Sequence, residues 1–364
     1  MKYFYPLIFF LLLTSFTNAQ LKPGFDANEY LEMLRISRQQ FKDTLKGDPT
    51  PLPGQYRIIY RSPEGPLKNR WELWVNTKGT AVISIRGTTK SDASWLENFY
   101  AAMVPASGQL HIDNSTTFKY HLANDPRAGV HIGWLLGLAD LSKTIVPKII
   151  WLNEAKGYKN FIIMGHSQGA AIAYLLRSYL ADLQATQLLS NNITFKTYCS
   201  APPKPGNGYY AYDYDYLTRG GWGISVRNTA DWVPETPFSI QTLNDFSSPN
   251  PYTNTDEVTK KQIFFKEIYL DHYSQLKKKP EKAQQANEKY LGAQVYVLMK
   301  KYLPKFTEPV YLHDNNYTSC GSQVVLMPDK DYRSKFQSDP KNVFVHHMFW
   351  AYYYLTQKEY LNQQ

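Results

Sequence analysis

Phe161-Ile162-Ile163-Met164-Gly165-His166-Ser167-Gln168-Gly169-Ala170-Ala171-Ile172-Ala173-Tyr174-Leu175-Leu176 is the stretch on which the reading of this chain turns. Its first four residues form a short apolar run, as in a strand buried on both faces. From Gln168 onward, small and aliphatic residues run on at helix length, and the reading predicts a helix over 168–183. Between the two sits Gly165-His166-Ser167-Gln168-Gly169, which fits G-x-S-x-G, a sharp strand-to-helix turn that lifts a serine out of the sheet edge. Gly165 and Gly169 lack Cβ atoms, so strand and helix can come close together. The turn aims the first N–H groups of a helix at the serine. The backbone N–H of Gln168 is then a candidate donor to an oxyanion.

Outward from this turn, helix-like and strand-like segments alternate. Residues 131–156 read as a helix with Pro147 inside it, and 195–199, 224–226 and 323–327 read as strands. Before them, strands are expected at 56–60, 71–75 and 81–85, the last two joined as a hairpin at Lys78-Gly79. An amphipathic helix over 26–46 precedes these, and a terminal helix over 343–361 closes the chain with His346 and His347 at its start. The run from Tyr209 to Tyr216 reads as a tyrosine-rich loop, and the Lys- and Gln-rich residues 256–305 as a helical insertion. The pattern predicts an α/β fold with a mostly parallel central sheet flanked by helices and an insertion before the last strand.

Bulk properties bound the function. The chain has 364 residues, enough for one large α/β domain over 20–364. Net charge is +9, but the dense basic runs are short (Lys260-Lys261 and Lys277 to Lys279) and read as a solvated helix face. No zinc-finger spacing or aromatic-and-basic motif accompanies them, so nucleic acid is not an expected partner. Lys2, the apolar run from Tyr3 to Leu13 and a small residue at Ala19 read as a secretory signal peptide over 1–19. The expected location is therefore secreted or periplasmic. Cys199 and Cys320 read either as one disulfide or as two buried thiols.

A serine hydroxyl needs a base, and the base needs an orienting acid. Asp231 follows the strand expected at 224–226, where a carboxylate stands at the C-terminal edge of a parallel sheet. Candidate bases after Ser167 are His272, His313, His346 and His347. His272 falls in the lysine-rich insertion and reads as structural or surface; His313, in a loop, stays open as a base without further support; His346 and His347 follow the last expected strand. His166 is too near the serine in sequence to reach its hydroxyl and reads as packing beneath the turn.

Five stretches in order resemble the class 3 lipase family, the fungal-type triacylglycerol lipases and their exported bacterial relatives. They are Ile83-Ser84-Ile85-Arg86-Gly87-Thr88-Thr89 with Trp95-Leu96-Glu97-Asn98-Phe99; Val130-His131-Ile132-Gly133-Trp134; the serine turn; Ser200-Ala201-Pro202-Pro203-Lys204-Pro205-Gly206-Asn207; and residues 227–237 around Asp231. The resemblance implies an α/β-hydrolase fold and carboxylic ester hydrolysis, with Ser167 as nucleophile, Asp231 as acid and His347 as base, His346 being the alternative; the family often places its histidine five residues before a tyrosine, as His347 stands before Tyr352. It also implies an oxyanion hole of Thr88 and Gln168, with no metal or cofactor. The expected partner is an ester or lipid substrate, with transient contact at a lipid surface. Residues 89–130 correspond to the family's lid, and Trp95, Leu96, Phe99, Tyr100, Met103 and Val104 would form an apolar face there, either mobile or packed on the core. Competing readings are an esterase for phospholipids, short-chain esters or acylated polysaccharide, and an inactive binding module on the same scaffold.

Overall fold

A computed structural model describes residues 20–250 and 274–362 of the chain. The leader expected at 1–19 and the first part of the expected insertion, with His272, lie outside the described residues. The central sheet has seven strands in the order β1-β2-β3-β8-β9-β11-β13. These are β1 (Arg57–Arg61), β2 (Trp71–Val75), β3 (Thr80–Ile85), β8 (Asn160–His166), β9 (Thr194–Ser200), β11 (Gly223–Asn228) and β13 (Ser322–Leu326). The first three pair antiparallel, through the expected turn at Lys78-Gly79, and the remaining pairs are all parallel. A smaller sheet contains β4 (Met103–Pro105), β7 (Gly129–His131), β10 (Gly206–Asn207) and β12 (Tyr317–Thr318), and β5 (Ser107–His111) with β6 (Thr117–His121) makes a hairpin.

The period of two along a strand divides the core in two. Ala81, Ile83 and Ile85 of β3 and Phe161 and Ile163 of β8 pack towards α3 (Ile132–Lys156), α4 (Gln168–Ala185) and α5 (Gly208–Leu217). Val82, Ile162 and Met164 face the other way, onto α1 (Ala27–Gln39) and the terminal helix Phe349–Tyr360. Both faces of the sheet are covered, which is why β8 reads as an unbroken apolar run. This is the α/β-hydrolase arrangement. As expected, helices over Ser274–Asn287 and Gln294–Met299 come before the last strand, joined by a π-helical turn at Glu288–Ala293.

Four local expectations are corrected. The first helix stops at Gln39, not at 46, because Gln40 turns inward and its Nε2 donates to the backbone and hydroxyl oxygens of Ser84 (2.9 and 3.0 Å). The tyrosine-rich run is a helix, α5. Asn207 caps it by accepting from Tyr210 N–H (3.0 Å), and Tyr209, Tyr210 and Tyr214 are buried while Tyr212 and Tyr216 face solvent. Burial of one face outweighs the modest helix propensity of tyrosine. The terminal helix starts at Phe349, because Met348 is extended, so His346 and His347 lie in the turn before it. Residues 89–130 are not one amphipathic cover. A short α2 (Asp92–Phe99) carries Trp95 and Phe99, while Tyr100, Met103 and Val104 are fully buried in the chain leading through β4. Cys199 and Cys320 are both buried free thiols.

Two packing features carry consequences for stability. A Cβ on Gly169 would stand 2.4 Å from the Ile85 carbonyl oxygen, and one on Gly165 2.1 Å from the Gly169 oxygen. Gly169→Ala should cost about 1–3 kcal/mol in a denaturant titration, since backbone on both sides must yield. The second feature is a pair of buried histidines, His131 and His166, each pushed down from 6.5 to about 3 chiefly by burial. Their folded values lie below the unfolded one, so the stability they allow is present above about pH 6.5 and is lost as pH falls towards 3. The thermal midpoint should drop steadily over that window, and His131→Gln should flatten the drop.

Candidate active site

The serine turn stands at the C-terminal end of β8, in the middle of the sheet. Register pairs Gly165 with Ile85 on one side and Cys199 on the other, and His166 with Ser200. Ser167 itself has φ +61° and ψ −132°, a region that L-residues rarely occupy. Its backbone N–H is tied to the Ser200 carbonyl (3.0 Å), and its own carbonyl accepts the first bonds of α4, from Ala170 and Ala171 (2.9 and 3.2 Å). The N–H of Gln168 precedes those bonds, as the orphan donors of a helix start do. Gly87 lets the neighbouring loop approach: a Cβ there would lie 2.7 Å from the His166 oxygen and 3.5 Å from the Ser167 Cβ.

Asp231 and His347 are joined directly. The His347 Nδ1–H donates to Asp231 Oδ2 (2.7 Å), which leaves Nε2 as the free ring nitrogen. Asp231 is buried, and its carboxylate also accepts from Tyr352 OH (2.8 Å) and Val233 N–H (3.0 Å). Burial works to raise this carboxyl, but His347 and those hydrogen bonds outweigh it and hold the group below its ordinary range. His346 is turned elsewhere: Nδ1 meets Tyr332 OH (2.9 Å), and Nε2 meets Ser338 Oγ (3.1 Å). His313 is exposed on a loop, paired with Glu288.

Ser167 and His347 line one cavity of about 720 Å³, and no direct hydrogen bond joins them. Thr88 and Gln168 line it too. Asn98 ties these two together: its Nδ2 donates to Thr88 Oγ1 (2.9 Å), and its Oδ1 accepts from Gln168 Nε2 (2.9 Å) and Trp134 Nε1 (3.0 Å). Because Thr88 Oγ1 accepts from Asn98, its own hydroxyl proton is free for another acceptor. Trp95, Trp134, Trp232, Phe344 and Phe349 supply much of the wall, and Leu291 reaches it from the π-helical turn of the insertion. Among the described residues no group of three or more His, Cys, Asp or Glu side chains is placed to hold a metal ion.

Three supports were not legible in the sequence. Tyr352 falls one turn into the terminal helix, and only its spacing from His347 marked it. Asn98 stood in a stretch that resembles the family, but nothing in the sequence assigned it a role. His166, expected merely to pack beneath the turn, is a link in a chain. Burial keeps it neutral, so its Nδ1 accepts from Ser200 Oγ (3.0 Å), while its Nε2–H donates to the His347 carbonyl (2.8 Å). Ser200 Oγ in turn accepts from Tyr30 OH of α1 (2.6 Å). The backbone of His347 is thereby fixed from beneath the serine.

Residues 82–241 match the family model described as lipase (class 3). A secreted mono- and diacylglycerol lipase of Malassezia globosa is 24% identical over 186 residues, which take in 50% of this chain and 55% of that protein. The chain thus spans about half the length of the curated relative it matches. Among solved structures, a lipase of Yarrowia lipolytica is 18% identical, with 60% of this chain and 78% of that chain covered at a TM-score of 0.44. Lipase II of Rhizopus niveus is likewise 18% identical, with 58% and 75% covered at a TM-score of 0.43. Residues 82–241, less than half of the chain, are thus similar to the lipase (class 3) family.

Proposed function

We propose that this protein is a serine carboxylic ester hydrolase that acts on lipid esters. The observation that carries the reading is the His347–Asp231 hydrogen bond at the edge of the cavity that Ser167 also lines. In this reading His347 Nε2 takes the Ser167 proton as the hydroxyl oxygen attacks the ester carbonyl carbon. The N–H groups of Thr88 and Gln168, with the Thr88 hydroxyl, receive the negative charge that develops on the carbonyl oxygen. His347 returns the proton to the leaving alcohol. Water then attacks the acyl-serine by the same route, releasing the acid and restoring the hydroxyl. Asp231 keeps the imidazole in the tautomer that exposes Nε2 and offsets its charge once protonated. His347 is preferred to His346 because only His347 meets Asp231 through its ring.

A lipid substrate is supported by the aromatic walls and by the apolar side chains exposed around the opening. Phe99, Trp232 and Phe238 are 56%, 41% and 63% exposed, and all three line the cavity. Such a patch suits transient contact with a lipid surface. Export is supported by the leader-like residues 1–19 and by the word "secreted" in the name of the Malassezia relative. No described helix is long and apolar enough to cross a membrane.

A fluorophosphonate probe tests the reading. Labelling of the folded protein should occur and should vanish in Ser167→Ala; no labelling, or labelling that survives the substitution, would overturn it. On a chromogenic ester, His347→Ala should abolish turnover, while His346→Ala should retain most of it. Asn98→Ala should lower kcat by about ten- to a hundredfold with little change in KM, because it frees the Thr88 hydroxyl and Gln168 from their shared anchor. Single-turnover acylation rates would check this.

A further inference from the structure

The cavity wall is not uniformly apolar. Lys68, Arg86 and Lys90 line it, against a single lining carboxylate, Glu64. Counting the histidines as neutral, the lining carries two positive charges in excess. Arg86 is only 6% exposed. One terminal nitrogen, NH2, donates to Glu64 Oε1 and to the Lys68 carbonyl (2.7 Å each), while its buried Nε has no partner. Glu64 is shared, since its other oxygen lies 3.6 Å from Lys68 Nζ. Arg70, held behind this group by a bond to the Gln40 carbonyl (2.9 Å), adds a further cation. Burial and the neighbouring cations Arg86 and Arg61 work against the Arg70 charge, and Glu72 and Glu64 offset part of that.

Position ties this cluster to the serine. Arg86 directly precedes Gly87-Thr88, the segment that touches the serine turn. Lys68 sits at φ +68°, in a turn closed by its own N–H to the Gly65 carbonyl (2.9 Å) and by Gly65 N–H to the Asn69 carbonyl (3.0 Å). That strained turn places the Lys68 carbonyl on Arg86 and its ammonium beside the cavity. A structural ion pair would need one cation for Glu64; three line the space.

We propose that Lys68, Arg86 and Lys90 form a subsite for an oxyanion group, phosphate or carboxylate, on the alcohol half of the ester. This rests on the ester-hydrolase reading above. The scissile carbonyl divides a substrate into two halves. A hydrocarbon acyl chain has no charge for this cluster and takes the walls of Trp134, Phe344 and Phe349. The cationic side then falls to the alcohol, whose anion is bound and not transformed.

Three monomeric dihexanoyl esters test it: phosphatidic acid, a glyceric acid diester and dihexanoylglycerol. The intact protein should show kcat/KM on the two anionic esters about tenfold or more above that on the neutral one, with the preference shrinking as salt is raised. Comparing the phosphate and carboxylate esters identifies the better oxyanion. In Lys68→Gln/Lys90→Gln the preference should fall about tenfold, with dihexanoylglycerol turnover unchanged. Lys90→Gln alone, at an exposed position, should give part of that fall even if the double variant folds poorly. Equal turnover of charged and neutral esters by the intact protein, or a preference that survives both lysine substitutions, would overturn the subsite and leave ester hydrolysis standing. Stimulation of dihexanoylglycerol turnover by inorganic phosphate would mark a free-anion effector site and overturn it as well. No turnover of any ester together with no fluorophosphonate labelling would instead sink the underlying reading.

Discussion

Ser167 is held in a backbone conformation that it would not adopt alone, and most of the site's geometry follows from how that is enforced. At φ +61° the residue costs about 1–3 kcal/mol relative to relaxed backbone. The Ser200 carbonyl fixes its N–H, α4 starts on its own carbonyl, and strand and helix touch where Gly165 and Gly169 have no Cβ. The sheet must therefore be formed and the helix docked before the hydroxyl can stand over the cavity. Core packing of β3, β8 and β9 supplies what the turn costs.

The imidazole is placed by two independent anchors. Its ring is oriented by Asp231, itself set by Tyr352 and Val233, and its backbone by His166, which relays the position of Tyr30 and Ser200. The relay depends on His166 being neutral, since only then does one ring nitrogen accept while the other donates. Burial enforces this. The same burial makes the fold sensitive to acid, so one physical cause serves both the site's precision and its pH limit.

Much of the architecture was legible because strand and turn signals are local. The hairpin at Lys78-Gly79, the apolar run of β8 and the small residues of α4 each report their own structure. Legibility failed where tertiary burial decided. The run from Tyr209 to Tyr216 has no strong intrinsic preference, and its helix exists because three tyrosines find a core. The apolar residues from Trp95 to Val104 could not reveal that half of them are interior while Phe99 stands at the cavity. In the site, Ser167 and Asp231 were marked by their turn and strand contexts, whereas Asn98 and Tyr352 were touched only by the family resemblance and their roles were not readable, because those roles exist only through partners distant in the chain.

The sequence by itself determined the serine turn, the strand context of Asp231 and the family resemblance, because each is written in contiguous residues. It left His346 and His347 nearly equivalent, two adjacent imidazoles with similar neighbours. Only the tertiary structure separated them: adjacent side chains in a turn point in different directions, and one direction meets Asp231 while the other meets Tyr332 and Ser338. It alone also gathered Glu64, Lys68, Arg86 and Lys90 onto one cavity wall, since their convergence depends on how a loop before β2 and the end of β3 fold against each other.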